Sequence, residues 1–127
     1  MTVNIDIPSI DDGQLKCETS PTDRGLNVRL SGSADTRVKP QLDATFAKVH
    51  REAIRLHATE VAVDLRDLKF MNSSCLKAFV TWLANLQETQ PKEQYVIRFV
   101  SNPDAHWQKR SLAALSCFAI SLIRIEG

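Results

Sequence analysis

The sequence predicts an α/β domain in which a mixed sheet of four to five strands packs against helices. Two patterns alternate along the chain: short apolar runs, and stretches whose apolar residues recur every three to four positions, the spacing of one helix face. The length of 127 residues suits a single domain spanning 1–127, and a composition that is 43% hydrophobic and 24% charged is typical of a folded globular protein. Strands and helices that alternate over one core define the α/β class.

Eight elements are predicted after an extended lead-in over 1–13. Pro21 and Gly25 indicate a turn, which makes the first two strands a hairpin, and the alternation of apolar and polar residues in the second is typical of a strand with one wet face. The next helix carries one apolar stripe, with Pro40 in its first turn. The predicted bounds are 14–19, 26–30, 61–65, 95–100 and 118–125 for the strands, and 40–57 and 73–87 for the first two helices, with a third helix starting at Asn102.

The later elements follow from apolar runs and helix signals. Residues 61–65 are almost wholly apolar, which suits a strand covered on both faces of a parallel sheet. The helix over 73–87 has one apolar side and ends before Pro91. Asn102-Pro103-Asp104 is a typical helix start, with a capping amide, a proline in the first turn and an acid near the positive end of the helix dipole. The interior of the sheet is predicted to hold Val63, Leu65, Val96, Ile97 and Phe99.

Composition argues against several classes of function. Sixteen Lys and Arg against fifteen Asp and Glu give a net charge of +1, which provides no general attraction to nucleic acid or to an acidic membrane. None of the four glycines lies between positions 33 and 126, so phosphate-binding and dinucleotide-binding glycine loops are absent from that stretch. The three histidines lack the spacing of metal ligands. We therefore expect neither a metal nor a cofactor.

The cysteines and the N-terminal residues bear on the compartment. Three widely spaced cysteines fit a reducing cytoplasm better than a disulfide framework. The first residues lack the basic and apolar regions of a signal peptide, and no apolar run approaches the roughly twenty residues that a membrane helix needs. We expect a cytoplasmic protein that does not insert into a membrane.

The most informative stretch joins the strand over 61–65 to the following helix. It contains Asp64 in the strand and then Phe70-Met71-Asn72-Ser73-Ser74-Cys75 at the helix start. This stretch resembles the STAS domain of anti-sigma factor antagonists, in which an apolar strand is followed by D-L-S and by F-M-D-S-S-G. Upstream, Leu30-Ser31-Gly32-Ser33-Ala34-Asp35 is similar to the family's L-x-G-x-x-D. Element order and spacing agree over about four fifths of the chain.

The resemblance implies a bacterial partner-switching protein of signal transduction. Ser73 matches the serine that family members present for phosphorylation by a partner kinase, and Ser74 is the second choice for phosphoserine. Asn72 stands where the family has aspartate, and Cys75 stands where it has glycine. Asparagine removes a charge, and cysteine adds a side chain where glycine would leave the backbone free for close approach.

Physical chemistry gives each candidate residue two interpretations. A phosphate on Ser73 would lie near the positive end of a helix, but Asn72 or Ser73 could instead be a simple N-cap. Asp35 and Asp64 could contact a partner or bond neighbouring backbone N–H groups. Cys75 could be a reactive thiol or an inert one. The remaining candidates are Lys77, which could contact an acidic partner or be solvated, and Trp82, which could be a half-exposed partner anchor or a cover for the rim of the core.

These observations leave two main hypotheses of function. The first is a non-enzymatic regulator that binds a serine kinase or anti-sigma-type protein, or a phosphatase, through Asn72–Cys75 and the following helix. The alternative is a constitutive STAS-type accessory subunit of a transport or signalling assembly, without a phospho-switch. A hydrolase or transferase that uses Ser73, Ser74 or Cys75 is disfavoured, because no base or oxyanion glycine accompanies these residues.

Overall fold

The computed structural model describes residues 7–127, which form one mixed sheet with three α-helices. The sheet has six strands in the order β1-β2-β3-β4-β5-β6; the first three are antiparallel, and the last four run parallel to one another. The elements are β1 Ile10–Asp11, β2 Leu15–Pro21, β3 Gly25–Ala34, α1 Lys39–Arg55, β4 Glu60–Met71, α2 Ser73–Glu88, β5 Val96–Val100, α3 His106–Phe118 and β6 Ile123–Glu126.

The mixed α/β fold is confirmed, with one strand more than predicted. The additional strand is β1, two residues long, which lies in the predicted lead-in and pairs with β2 through Ile10 and Cys17. Both of these side chains are buried in the core, which explains why so short a segment joins the sheet. Residues 1–6 of the predicted lead-in lie outside the described residues.

The core lies on one face of the sheet. In the shared register Leu26, Val61, Ile97 and Ile123 are neighbours across β3 to β6, and all four are buried in the cluster that also holds the buried faces of the helices. On the opposite face the next residue of each strand lines an open groove of about 450 Å³. These are Asn27, Ala62, Arg98 and Arg124.

Strand β4 differs from the prediction in length and in surroundings. It continues for twelve residues to Met71 rather than ending near Asp64, and only one of its faces is covered by helices. Its open face is buried by the side chains of neighbouring strands, including Arg98, whose guanidinium donates to the carboxylate of Glu60 at 3.1 Å. The apolar run over 61–65 therefore predicted a central strand correctly. It did not reveal that helices cover only one face of this strand. Val96 also lies on the open face and is half-buried, so its predicted place in the interior was wrong.

The C-terminal elements are displaced from their predicted bounds. Helix α3 begins at His106, because the Asn102 side chain accepts the N–H of Asp104 at 2.9 Å and closes a turn instead of capping a helix. The helix then continues to Phe118, and a 3-10 turn over Ile120–Leu122 precedes β6. The last strand is therefore four residues long rather than eight.

An aromatic cluster joins the helices to the sheet. Phe46 of α1 stacks on Phe79 of α2 at a centroid distance of 4.8 Å and on Trp82 at 5.0 Å. Phe79 also meets Phe99 of β5 edge to face at 5.4 Å. Such pairs add about 0.5–1.5 kcal/mol beyond the burial of their area. Phe79 thus connects both layers of the fold.

We predict that Phe79→Ala lowers the free energy of unfolding by about 3–5 kcal/mol, because it removes a buried ring and leaves a cavity. Lys77→Ala on the exposed side of the same helix is the control and should change it by less than about 0.5 kcal/mol. Urea denaturation of both variants is the measurement. Equal midpoints would contradict the orientation of α2.

Candidate functional site

Two loops meet at the end of the parallel pair formed by β3 and β4. Ala34 and Met71 are the last partners of this pair, so the residues that follow, Asp35 and Asn72, leave the sheet side by side. Gly32 has a different role: its φ is +91°, and a Cβ there would lie 2.0 Å from the carbonyl oxygen of Gln14, so the glycine lets β3 pass close to the turn before β2. The glycine and the aspartate of the upstream motif therefore serve two different parts of the structure.

Asn72 connects the two loops and starts helix α2. Its Oδ1 accepts the backbone N–H of Cys75 at 2.9 Å, which is the bond of an N-cap. Its Nδ2 donates to the Thr36 hydroxyl at 2.7 Å, and its backbone N–H donates to the carbonyl of Ala34 at 3.0 Å. An amide can accept from the helix and donate to Thr36 at the same time. The N-cap is therefore Asn72, and Ser73 is not needed for this role.

Asp35 forms the other side of this junction. Its carboxylate accepts the backbone N–H of Arg37 at 3.0 Å and pairs with the guanidinium of the same residue at 3.1 Å. Its backbone carbonyl accepts the thiol of Cys75 at 2.9 Å. The side chain thus caps the short 3-10 turn Thr36–Val38, while the main chain holds the start of α2.

Cys75 is a structural thiol. It is fully buried, and this burial, reinforced by the negative charge of Asp35, raises its pKa above the ordinary value of a thiol. A raised pKa reduces the thiolate fraction at neutral pH, which is the opposite of what a nucleophile needs. The arrangement favours the inert interpretation of Cys75, and it removes this side chain from the accessible surface.

Ser73 is exposed at the first position of α2, and Ser74 beside it is half-buried. Within residues 7–127 neither hydroxyl makes a hydrogen bond to another side chain or to the main chain. Unpaired N–H groups at a helix start favour negative charge. Lys77, one turn further along, is also exposed. We call Thr36, Phe70, Ser73, Ser74 and Lys77 the helix-start surface.

Phe70 is a member of this surface that the sequence analysis missed. Its ring is 50% exposed, although it lies between Leu68 and Met71, which are both buried. Register shifts between β3 and β4 break the simple alternation, so a period of two places Phe70 incorrectly. The one sequence feature that could have indicated its exposure is its position two residues before the N-cap Asn72, where the strand ends.

Asp64 does not belong to this surface. It lies on the open face of the sheet, seven residues before Met71, which is about 20 Å along an extended strand. Arg66 donates to both of its oxygens, at 3.0 and 2.8 Å, and the hydrogen bond from Arg66 lowers the pKa of this carboxyl. The structure therefore separates Asp64 from Asp35 and the serines.

Trp82 is buried, so its interpretation as a half-exposed partner anchor was wrong, and the interpretation as a ring that covers the core agrees with the structure. It is 2% exposed, because Phe46 stacks on it and Tyr95 accepts its indole N–H at 2.7 Å. The Tyr95 oxygen also lies 2.7 Å from Nδ1 of His50, whose Nε2 lies 3.3 Å from the Thr89 hydroxyl. Since the indole can only donate, Tyr95 is free to donate its proton to a neutral His50. This chain of polar side chains satisfies the buried indole N–H of Trp82 without solvent.

Solved structures with a similar fold include two anti-sigma factor antagonists. The crystal structure of an anti-sigma factor antagonist from Mycobacterium paratuberculosis has a TM-score of 0.64 and 18% identity, covering 91% of this chain and 88% of that chain. The anti-sigma factor antagonist SpoIIAA in its unphosphorylated form has a TM-score of 0.54 and 18% identity, covering 74% of this chain and 79% of that chain. No family model and no curated protein sequence matches the chain. The protein therefore has a STAS-like domain of the anti-sigma factor antagonist fold.

Two further features concern residues 7–127. Among them, no helix is both long enough and apolar enough to cross a membrane. The same residues contain no group of three or more histidine, cysteine or acidic side chains placed to hold a metal ion.

We predict that acid weakens the fold through His50. Burial lowers the pKa of His50, so the unfolded chain binds a proton more readily than the folded one. The contribution of neutral His50 is complete above pH 6.5, the ordinary value, and is lost as the pH falls below it. The melting temperature should therefore fall more between about pH 7.5 and about pH 5 in the wild type than in His50→Gln, which keeps a neutral side chain. Parallel pH profiles would contradict this assignment.

Proposed function

We propose that the protein is a non-enzymatic regulator of the anti-sigma factor antagonist type. It binds a serine kinase or anti-sigma-type protein through the helix-start surface, and phosphorylation of Ser73 switches this binding. The observation that carries the proposal is the exposed, unbonded hydroxyl of Ser73 at the first position of α2, held by the Asn72 junction in a fold similar to two antagonists.

The surroundings of Ser73 suit modification without unfolding. Asn72 already caps the helix, so adding a group to Ser73 removes no bond of the domain. Phosphate adds about 1.5–2 negative charges, which the positive end of α2 favours. The modification therefore changes the surface and leaves the scaffold intact.

The same charge acts differently on a partner. Phe70 gives the helix-start surface an exposed apolar ring, and aromatic residues including Phe are enriched in the cores of protein–protein interfaces. A phosphate on Ser73, three residues along the chain from Phe70, would have to lose its water on docking, which costs several kcal/mol when no basic group faces it. The unmodified form thus docks and the phosphorylated form is released, and a phosphatase would restore docking.

The absence of enzymatic activity is part of this proposal. The raised pKa of the Cys75 thiol disfavours its use as a nucleophile. His50, the histidine of the polar chain, is committed to Tyr95 and Thr89 rather than to a serine. The free thiols of Cys75 and Cys117 fit action in the reducing bacterial cytoplasm.

The first test compares a negatively charged side chain at position 73 with one elsewhere on the same helix. Ser73→Glu should weaken binding of the co-purified partner at least about tenfold while leaving the melting temperature nearly unchanged, because the charge is tolerated by the helix but not by the interface. Asn85→Glu, also exposed but about 18 Å further along α2, is the matched control and should bind normally. Affinity by titration calorimetry and melting are measured on both variants. Unchanged affinity of a folded Ser73→Glu would contradict the proposed contact surface.

A second candidate function is a constitutive accessory subunit of a transport or signalling assembly, without the switch. The observation that favours it is the Cys75 side chain packed against the Asp35 carbonyl, where the family has glycine. This contact adds a bond between the two loops. It stiffens the start of α2, which a kinase would have to bind in order to phosphorylate Ser73.

Restoring the family residues distinguishes the two functions. If the departures disabled the switch, Asn72→Asp combined with Cys75→Gly should raise the phosphorylated fraction of protein isolated from its native cells, measured by intact mass, and Ser73→Ala in that background should abolish it. If the switch is intact, the wild type already carries phosphate on Ser73. Unphosphorylated wild-type and restored proteins would together favour the accessory subunit.

A further inference from the structure

Strand β6 is an edge of the sheet with an exposed apolar border. It pairs with β5 on one side, and its other side has no strand partner in residues 7–127. Four large apolar side chains of the described chain are exposed, and three of them lie here: Phe118, Ile120 and Ile125. Ile120 is 79% exposed. Unprotected edges with apolar borders are templates for pairing with a further strand.

The backbone of β6 shows which groups are free for such pairing. The carbonyl of Glu126 points toward the β5 side, where it accepts the N–H of Ser101 at 2.7 Å and its hydroxyl at 2.9 Å. Main-chain groups alternate in direction along a strand. The main-chain N–H and C=O groups of Arg124 therefore also point toward β5. Those of Ile123 and Ile125 point outward, away from the sheet.

We propose that a second copy of this chain pairs with β6 in antiparallel orientation, with the two-fold axis at Ile125. The two Ile125 residues then exchange N–H···O=C bonds across the axis. Arg124 lies opposite Glu126 of the second copy at a position without main-chain bonds, where facing side chains are closest. The interface is isologous, as a closed dimer requires.

Charge complementarity selects this occupant and this register. Arg124 is exposed and makes no ion pair within the described part of the chain, whereas Glu126 pairs with Arg98 through one oxygen, Oε2, and keeps the other. The two-fold axis produces two Arg124–Glu126 pairs on the open face of the sheet and places Ile125 against its copy on the other. Moving the axis by one residue would set Arg124 against Arg124 or Glu126 against Glu126, which is repulsive.

This dimer is independent of the proposed function, because it uses no residue of the helix-start surface. Pairing confined to residues 124–126 of each strand forms a small interface, so we expect a dissociation constant between about 1 µM and about 1 mM. Sedimentation equilibrium of the full chain over that concentration range is the measurement. A wild type that stays monomeric throughout would overturn the proposal.

Charge variants test the register. Arg124→Glu should weaken the dimer at least about tenfold, since both ion pairs become repulsive. Arg51→Glu, which makes the same change at an exposed position of α1, is the matched control and should dimerise as the wild type does. Ile125→Asp should be monomeric, with carboxylates facing each other at the axis. Melting of each variant verifies that it is folded.

A mixing experiment separates this interface from any other. Glu126→Arg alone should be monomeric, but an equimolar mixture of Arg124→Glu with Glu126→Arg should form a mixed dimer, because every facing pair is then opposite in charge. Dimerisation unaffected by Arg124→Glu and Ile125→Asp, or no recovery in the mixture, would overturn the proposed pairing.

Discussion

The parallel pairing of β3 with β4 is the constraint on which the site depends. It carries the two chains out of the sheet side by side, and Asn72 then joins them through the helix cap and the Thr36 hydroxyl. Because the cap, the hydroxyl and the Cys75 thiol bond lie within one turn, the start of α2 has little freedom to move. The exposed serine therefore has a fixed position, which is what recognition by a rigid partner requires.

The two faces of the sheet have different roles in this arrangement. The helix-covered face is dry and aromatic, and it supplies most of the stability through burial of apolar area. The open face is polar: Arg98 bridges Glu60 and Glu126, and Arg66 holds Asp64. The carboxylates of Glu60 and Asp64 are buried, so loss of Arg98 or Arg66 would leave a buried charge without its partner and weaken the fold. A modification at Ser73 touches none of these pairs.

The sequence predicted the elements better than their surroundings. Periodicity identified α1, α2 and the central strands, because each has a strong apolar pattern of its own. It failed at Val96, since alternation does not say which face the helices cover. It failed at Asn102, since the same amide can cap a helix or close a turn, and only the following backbone decides.

The site, like the fold, was predicted only where local sequence determines the structure. A motif placed Asn72, Ser73 and Cys75 together, and local chain connectivity guarantees that much. The thiol bond of Cys75 to Asp35 and the burial of Trp82 by Phe46 and Tyr95 join residues far apart in sequence. Phe70 was missed because register shifts, which no local pattern reveals, turned it outward. Long-range contacts decide which side chains of a motif are accessible.

The most direct test of the central claim is to map the contact on the molecule itself. Amide chemical shifts of the labelled domain are recorded while the partner recovered by co-purification is added. The account predicts that the changes centre on Thr36, Phe70 and residues 72–77 and leave the open face of the sheet unperturbed. Changes confined to the open-face groove around Ala62 and Arg98, with the start of α2 unaffected, would contradict it.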